Sequence, residues 1–387
     1  MCAFVLEDYI IQSNVGGGSF AQVYLAIHKK TGSRVSIKVI PKESSDAESN
    51  YQLSIQRELQ ILRMVSHPFI AQLFEIIENE HYYFVVMEFV QNGTLLTYIN
   101  ERCQLKEPEA ANIFAQMILV LKYLQDDCNV CHRDIKAENI LMDTNYNIRV
   151  IDFGLSNISP ENLMNTQCGS PAYASPEMIL GQQYTFSSDI WSCGCVLFAM
   201  VCGKLPFYDE NISRLAQKIV YSEPQYPSTL SPTCTDLLKR ILTKKPEERI
   251  TINEIMNHDW IHHQIQEMTE VISKFEYDEE IIKERLNLFG LDYTQVMNDA
   301  KSNIVNQGTV ALSIIKRELL MYSIHQIRNA QILKPMRHNS IAKLDPLPRL
   351  GKLDKCAPAR RRSLTITCNP PALINARRKI PSFRHNL

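Results

Sequence analysis

Residues 131–139 read Cys-His-Arg-Asp-Ile-Lys-Ala-Glu-Asn, and residues 151–154 read Ile-Asp-Phe-Gly. Taken singly, Asp and Asn residues mostly belong to helix caps and turns, because their short side chains hydrogen-bond the neighbouring backbone. The interpretation of these two segments therefore depends on the motifs that precede and follow them along the chain.

Three further motifs surround these segments in a fixed order. Residues 15–23, Val-Gly-Gly-Gly-Ser-Phe-Ala-Gln-Val, place glycines between two strand-like stretches, and glycine lets a backbone approach phosphate groups closely. A glycine-rich hairpin alone is more often a simple turn, and Ala21 stands where the usual pattern has a third glycine. Residues 35–38, Val-Ser-Ile-Lys, follow as a strand, and residues 174–177, Ala-Ser-Pro-Glu, come last. The common order of the motifs carries more weight than any one of them.

In this order the motifs resemble those of the protein kinase family across about residues 8–262. The resemblance implies an α+β, bilobal fold, with a small lobe of antiparallel sheet and one helix at about 8–90 and a larger helical lobe at about 93–262. The hydrophobic pattern agrees with this division. It predicts strands at 35–40 and 82–89, and helices at 51–65, 107–124 and 189–202.

The resemblance also implies a reaction, the transfer of the γ-phosphate of Mg-ATP to a protein hydroxyl. Such an enzyme must neutralise phosphate charge and align a weak nucleophile. By position, Asp134 is the expected base that orients the acceptor hydroxyl, and Lys136 is the expected cation that steadies the transferred group. Asn139 and Asp152 are the expected ligands of Mg²⁺, which prefers oxygen donors.

The expected ATP site combines phosphate-binding and adenine-binding residues. Lys38 is expected to pair with the α- and β-phosphates while Glu58 holds it, and Met87 is the expected gatekeeper of the adenine pocket. The residues that the resemblance assigns to ATP binding are Val15, Gly16, Gly17, Gly18, Ser19, Phe20, Ala21, Gln22, Val23, Ser36, Lys38, Glu58, Met87, Glu88 and Val90.

Other matched residues are expected to support this site. Asp189 is expected to hold the catalytic loop from the long apolar helix, and Glu177 is expected to pair with Arg249. Residues 169–171, Gly-Ser-Pro, are expected to form a ledge below the acceptor hydroxyl.

The sequence also resembles one branch of the family. Lys136, two residues after Asp134, resembles the serine/threonine type rather than the tyrosine type. Residues 152–158 and 165–171 are similar to those of the calcium/calmodulin-dependent kinase group, and especially to its AMP-activated kinase-related branch. The basic amphipathic helix of a calmodulin target is not found directly after the catalytic region, where an acidic stretch begins instead.

In that branch an upstream kinase phosphorylates the threonine that precedes Cys-Gly-Ser-Pro. The resemblance therefore implies that Thr166 is an activating switch. Phosphate adds a charge of about −1.5 to −2, which Arg133 is expected to bind and so order the loop.

Composition limits the other classes of function. Residues 331–387 hold 13 Lys and Arg against 2 Asp and Glu, whereas the whole chain has a formal net charge of −1. Residues 1–330 are therefore acidic, and a nucleic-acid partner is not expected. The apolar run 190–206 is interrupted and too short for a membrane span of about 20 residues. The 11 cysteines are scattered and odd in number, as in a cytoplasmic protein with reduced thiols. We expect the cytoplasm, with the nucleus as the alternative.

Two segments follow the catalytic region. Residues 277–327 predict three short helices, at 278–289, 293–300 and 310–327 with Thr309 as the last N-cap. This segment resembles a ubiquitin-associated-like module, which implies intramolecular contact with the catalytic lobes; regulatory subunits are the alternative partners. Residues 331–387 have no hydrophobic period and predict a basic, disordered tail, in which Ser363 has the spacing of a basophilic phosphorylation site.

Some positions depart from the family pattern. Ser36 and Ser175 stand where alanine is usual, and Thr94 stands where relatives often carry a glutamate that contacts the ribose and substrate arginines. The substrate consensus is therefore left open.

Two rival functions are weighed against protein phosphorylation. A pseudokinase scaffold predicts the loss of a catalytic residue, and none is lost. A kinase for small molecules or lipids predicts the absence of the 169–171 ledge and of the pair between Glu177 and Arg249, and all of these residues are present.

Overall fold

Residues 5–17, 21–42, 49–153 and 171–332 are described in the computed structural model of the chain. Met1–Ile327 form one unit and Arg328–Leu387 a second, of which only 328–332 are described. The predicted disordered tail and Ser363 therefore lie outside the described residues, apart from the last two positions of a helix.

The first lobe of the described chain is built on a five-stranded antiparallel sheet. Its elements are β1 Tyr9–Gly17, β2 Gln22–His28, β3 Arg34–Pro41, helix α1 Ser49–Met64, β4 Leu73–Glu78 and β5 Tyr82–Glu88, with the strand order β1-β2-β3-β5-β4. β-Branched and aromatic residues dominate the strands because they pack well on a pleated surface. The strands predicted at 35–40 and 82–89 correspond to β3 and β5, and the helix predicted at 51–65 corresponds to α1.

The side chains of the central strand β3 point alternately to a buried core face and to the face that carries the predicted ATP-site residues. Successive side chains of a strand point to opposite sides, so Val35, Ile37 and Val39 share one face and are buried. Ser36 and Lys38 share the other face, where Ser36 lies opposite Met87 and Lys38 lies opposite Val85 in the register with β5. The alternation thus places two predicted ATP-site residues side by side.

The second lobe is helical and centres on one buried helix. Its helices are α2 Leu95–Arg102, α3 Glu107–Asp126, α4 Pro176–Ile179, α5 Phe186–Cys202, α6 Ile212–Tyr221, α7 Pro232–Ile241, α8 Ile252–Met256 and α9 His262–Ser273. Helix α5 is buried along almost its whole length, as predicted for this apolar run. At Gly194 an added Cβ would lie 2.3 Å from Ile241 Cγ2, so glycine lets α5 and α7 approach closely. Among the described helices, none has the length and apolar character needed to cross a membrane.

A two-stranded hairpin that the sequence analysis did not predict lies between the two defining motifs. Strands β6 Ile140–Met142 and β7 Ile148–Val150 pair in antiparallel fashion. Asn139 immediately precedes β6, and Asp152 follows the end of β7 by two residues. The hairpin therefore brings two polar side chains that are distant in sequence to the same edge.

In the described part of the chain, three helices follow the second lobe, namely α10 Glu279–Leu288, α11 Tyr293–Lys301 and α12 Gln307–Ile332. They share a small core that includes Ile282, Leu286 and Val296. On α12, Val310 and Ile314 are also buried, but they belong to the cluster that contains the core face of β3. Helix α12 therefore packs against the sheet of the first lobe.

The start of α12 differs from the prediction. The helix begins at Gln307 rather than at 310, and Thr309 lies inside its first turn. The Asn306 side chain accepts hydrogen bonds from the backbone N–H groups of Gly308 (2.9 Å) and Thr309 (3.0 Å). The predicted Thr309 cap is thus wrong because Asn306, three residues earlier, satisfies these donors.

A buried ion pair joins α4 to the segment after α7. Arg249 donates from Nη1 to Glu177 Oε1 (2.8 Å) and from Nη2 to Glu177 Oε2 (2.9 Å), and the two side chains are 0% and 2% exposed. Ser188 adds a hydrogen bond to Glu177 Oε1 (2.8 Å). Such a bidentate ion pair fixes both the distance and the relative orientation of the two segments that carry its residues.

We predict that Arg249→Met lowers the free energy of unfolding by roughly 3–5 kcal/mol, because it leaves the Glu177 carboxylate buried without its cation. Urea or thermal denaturation measures the change. The matched control is Lys245→Met, since Lys245 pairs with Glu248 at the surface, where an ion pair contributes about 0–1 kcal/mol. Equal stability losses in the two variants would contradict the prediction.

Candidate active site

The described residues of the glycine-rich segment belong to two paired antiparallel strands, as predicted, while residues 18–20 between them lie outside the described residues. Gly16 lies opposite Val23 and Gly17 opposite Gln22 in the register of β1 with β2. The Asn14 side chain accepts a hydrogen bond from the Gly16 backbone N–H (3.2 Å). An added Cβ at Gly17 would lie 3.0 Å from the Ala21 carbonyl oxygen, so a larger residue at position 17 would be crowded.

Lys38 lies between two carboxylates. Its Nζ atom is 2.6 Å from Glu58 Oε1 on α1 and 3.5 Å from Asp152 Oδ1. Burial by itself lowers the pKa of Lys38, but the carboxylates of Asp152 and Glu58 outweigh it and hold this pKa above its ordinary value. The ammonium group is therefore charged at neutral pH and is suited to binding phosphate oxygens.

The segment 131–139, which is the predicted catalytic loop, brings Asp134, Lys136 and Asn139 together. Asp134 Oδ2 accepts hydrogen bonds from Lys136 Nζ (2.6 Å) and from Asn139 Nδ2 (2.7 Å). Burial raises the pKa of Asp134, and the neighbouring Lys136 opposes that rise. A carboxylate with this environment can orient a hydroxyl group and accept its proton.

Asp189 connects this segment to the buried helix α5. Its Oδ2 atom accepts the backbone N–H of His132 (2.8 Å), and its Oδ1 atom accepts that of Arg133 (2.9 Å). The Tyr184 hydroxyl also donates to Oδ1. The predicted contact between Asp189 and the loop is present in this form.

Two non-glycine residues of the motifs have left-handed backbone conformations. Arg133 has a φ of 66° and Asp152 a φ of 67°. Such conformations are uncommon and persist where the surrounding structure holds them. Next to them, the rings of His132 and Phe153 lie 4.8 Å apart, which packs the segment after β7 against the catalytic loop.

The end of β5 carries the predicted adenine-binding strand. Met87 and Glu88 close β5, and Val90 follows it, partly buried. The Ser36 hydroxyl lies 3.2 Å from the Glu88 carbonyl oxygen and 3.4 Å from that of Met87, and it donates to these acceptors. The serine that replaces the usual alanine therefore contacts the carbonyl groups of the predicted adenine-binding strand.

Sequence reasoning missed the environment of the Glu88 side chain. Arg149 Nε donates to Glu88 Oε1 (2.8 Å), and Arg317 Nε donates to Glu88 Oε2 (2.8 Å). Arg149 is a charged residue inside the apolar β7 stretch, which was a usable signal. Arg317 belongs to no motif, and nothing in its sequence context pointed to Glu88.

Thr94, which departs from the family pattern, and Arg133, the expected phosphate ligand, both make contacts within the chain. Thr94 is the N-cap of α2, where its hydroxyl accepts the backbone N–H of Thr97 (3.1 Å). Arg133 has its guanidinium 5.4 Å from the ring centre of Tyr184.

Cys131, at the start of the segment 131–139, is a free thiol. Burial raises the pKa of this thiol to about 12, which makes it a poor nucleophile at neutral pH.

The oxygen donors fit a divalent cation. Asn139 uses its amide nitrogen toward the backbone oxygen of Asp134 (3.0 Å) and toward its carboxylate, so the amide oxygen is the atom suited to ligation. The Asp152 side chain is 45% exposed and offers carboxylate oxygens at the mouth of the same site. Hard oxygen donors of this kind match the preference of Mg²⁺.

Several predicted residues lie outside the described residues. They comprise Gly18, Ser19 and Phe20 of the hairpin, the switch candidate Thr166, and Gly169 and Ser170 of the ledge.

Comparison with known proteins agrees with this geometry. The family described as "Protein kinase domain" matches residues 9–261. The SNF1-related protein kinase catalytic subunit alpha KIN12 of Arabidopsis thaliana is 39% identical over 318 residues, which cover 80% of this chain and 64% of that protein. The serine/threonine protein kinase OSK4 of Oryza sativa is 38% identical (80% and 62% covered), and the carbon catabolite-derepressing protein kinase of Secale cereale is 37% identical (80% and 63% covered).

The chain spans less than two thirds of the length of these relatives. Their names agree with the branch that the motifs around Asp152 predicted. The fold agrees as well, since a lobe of antiparallel sheet precedes a helical lobe over the matched range. The chain therefore belongs to the protein kinase family and is similar to its SNF1-related serine/threonine kinases.

Proposed function

We propose that the chain is a serine/threonine protein kinase that transfers the γ-phosphate of Mg-ATP to protein hydroxyl groups. The observation that carries the proposal is the convergence of Lys38, Asp134 and Asp152 with their partners. Lys38 pairs with Glu58, and Asp134 is bonded to Lys136 and Asn139. Protein kinases need these groups for phosphate binding, hydroxyl orientation and cation binding.

The residues divide the work by their chemistry. Lys38, kept charged and held by Glu58, binds phosphate oxygens and fixes the nucleotide. Asp134 accepts a hydrogen bond from the substrate hydroxyl and takes up its proton, while Lys136 balances the charge of Asp134 and of the incoming phosphate. Asn139 and Asp152 would hold Mg²⁺, which supplies neutralisation of phosphate charge when bound.

The pseudokinase alternative receives less support. A scaffold has no need for a formed pair between Lys38 and Glu58, nor for a carboxylate at Asp134 with two donors bonded to it. We further propose protein substrates as partners, an upstream kinase that acts on Thr166, and the cytoplasm as the location, with the nucleus as the alternative.

A transfer assay tests the activity. Wild-type protein is incubated with Mg-ATP and a panel of Ser, Thr and Tyr peptides, beside Asp134→Asn and Asp152→Asn. We expect transfer to Ser or Thr peptides and a loss of at least ~10²-fold in kcat for Asp134→Asn, because the hydroxyl loses its general base. No transfer by protein that is phosphorylated on Thr166 and binds nucleotide would favour the scaffold.

The second test concerns the serine at the adenine pocket. Ser36→Ala removes a donor to the Glu88 carbonyl oxygen and adds apolar surface, so this oxygen is left free to accept a hydrogen bond from the adenine. We therefore expect the Kd for Mg-ATP to fall by about 3-fold, the scale of one modest hydrogen bond. Calorimetric titration measures the Kd. Ser273→Ala, far from the pocket, is the control. Weaker binding by Ser36→Ala would contradict this interpretation.

The third test concerns activation. Because the resemblance implies a phosphorylated threonine at this place, Thr166→Ala is expected to lower the kcat of protein purified from its own cells by at least ~10-fold, through loss of the phosphate that Arg133 would bind. Replacement of the neighbouring Asn165 by alanine is the control. Mass spectrometry establishes the phosphorylation of the wild type. Equal activity of the Thr166→Ala variant and the wild type would rule out this switch.

A further inference from the structure

Arg317 of α12 lies in a socket whose hydrogen-bond acceptors, among the described residues, belong to the catalytic region. Its side chain is 5% exposed and reaches Glu88 Oε2 from Nε (2.8 Å) and from Nη2 (2.7 Å). Nη2 also donates to the carbonyl oxygens of Pro68 and Ile70 (2.8 Å each), and Nη1 donates to that of His67 (3.3 Å). The planar guanidinium thus uses all three of its nitrogens in one fixed geometry.

The socket connects three parts of the catalytic region. The segment 67–71 links α1 to β4, and it bonds to β7 through Ala71 N to Val150 O (3.1 Å) and Val150 N to Phe69 O (2.8 Å). Glu88 ends β5, and Arg149 lies on β7. Arg317 therefore contacts the connection after α1 and the end of β5 at once.

The charges in this buried cluster balance. Glu88 faces Arg149 and Arg317, and Asp143 lies 3.3 Å from Arg149 Nη2, so two carboxylates meet two guanidinium groups. Burial by itself raises the pKa of Glu88, but the two guanidinium groups outweigh it and shift this pKa downward. Removing Arg317 leaves an excess of negative charge where solvent screening is weak.

The same residue, Glu88, forms the edge of the nucleotide pocket through its backbone. Its carbonyl oxygen accepts the Ser36 hydroxyl (3.2 Å), and its backbone N–H donates to the Gln72 carbonyl oxygen (2.8 Å). The side chain of Glu88 points away from this edge, into the cluster with Arg317. The ion pairs of the side chain and the hydrogen bonds of the backbone thus restrain the same residue from two sides.

We propose that Arg317 is a positioning residue for nucleotide binding, which holds the Glu88 backbone at the adenine pocket by anchoring the Glu88 side chain from behind. The inference rests on the proposed function, and it gives helix α12 a supporting role in the nucleotide site. With α12 in place, the pair between Lys38 and Glu58 is formed at 2.6 Å, so the docked helix is compatible with a competent phosphate-binding site.

The test compares Arg317→Met with Lys316→Met, a matched control on the same helix whose side chain lies over the Tyr277 ring at 5.3 Å. Glu88→Gln and the double variant Glu88→Gln/Arg317→Met complete a double-mutant cycle. The full chain is titrated with Mg-ATP by calorimetry, well below the melting temperature of each variant. The KM values for ATP and for a peptide and the kcat are measured where transfer occurs.

We expect Arg317→Met to raise the Kd and the KM for Mg-ATP by about 5- to 10-fold, with less than about a 2-fold change in kcat and in the peptide KM. Lys316→Met should match the wild type, and the double variant should lose no more affinity than the weaker-binding single variant. A merely structural role would lower the melting temperature and leave the KM for ATP unchanged.

A wild-type Kd in folded Arg317→Met would overturn the inference. If this variant does not fold, Arg317→Lys keeps the charge but cannot bond Glu88 and the carbonyl groups together, and the same Kd decides the question. Because Mg-ATP binding is read directly, a chain that is phosphorylated on Thr166 and binds nucleotide but transfers no phosphate refutes the proposed activity, and the titration still decides the role of Arg317.

Discussion

The carboxylate of Asp189 fixes the geometry on which the rest of the site depends. It accepts the backbone N–H groups of His132 and Arg133 from a position on α5, the most buried helix of the second lobe. Arg133 has a left-handed backbone that is costly without such support. Asp134 follows Arg133 directly, so the carboxylate that we propose to bind the substrate hydroxyl is positioned by a chain of contacts that begins in the apolar core. Burial raises the pKa of Asp189 itself, and its three hydrogen-bond donors offset that cost.

Ion pairs in this chain differ according to the sequence distance they span. Pairs such as Lys274 with Glu270 join residues one helical turn apart at the surface, where solvent screening makes their contribution to the free energy of unfolding small. By contrast, Glu177 and Arg249 are 72 positions apart, Glu88 and Arg317 are 229 apart, and both pairs are buried. A buried charge requires its partner at one distance and orientation. These pairs therefore specify how remote segments meet, which apolar contacts alone define less sharply.

The motif-bearing part of the site could be predicted because its residues lie in short motifs whose order resembles that of the protein kinase family. The pair of Lys38 with Glu58 follows from that resemblance, and β3 and β5 follow from their β-branched and aromatic runs, whereas the hydrogen bond between Asp134 and Asn139 was not predicted. The β6–β7 hairpin was missed because each strand has three residues, too few for a hydrophobic period. The start of α12 was misplaced because Gly308 suggested a break, whereas Asn306 caps the helix. Arg317 could not be found from its neighbours, since its partners lie far away along the chain.

The family match and the physical unit have different boundaries. The matched range ends at residue 261, yet Val310 and Ile314 belong to the apolar cluster that fills the core face of β3. Removing α12 would expose that cluster. It would also take Arg317 away from Glu88, so that of these two cationic partners only Arg149 would remain. The motif residues thus lie on one side of β3 and β5, while a helix outside the matched range packs on the other side. A catalytic region defined by motifs alone therefore lacks part of the apolar core behind the proposed nucleotide site.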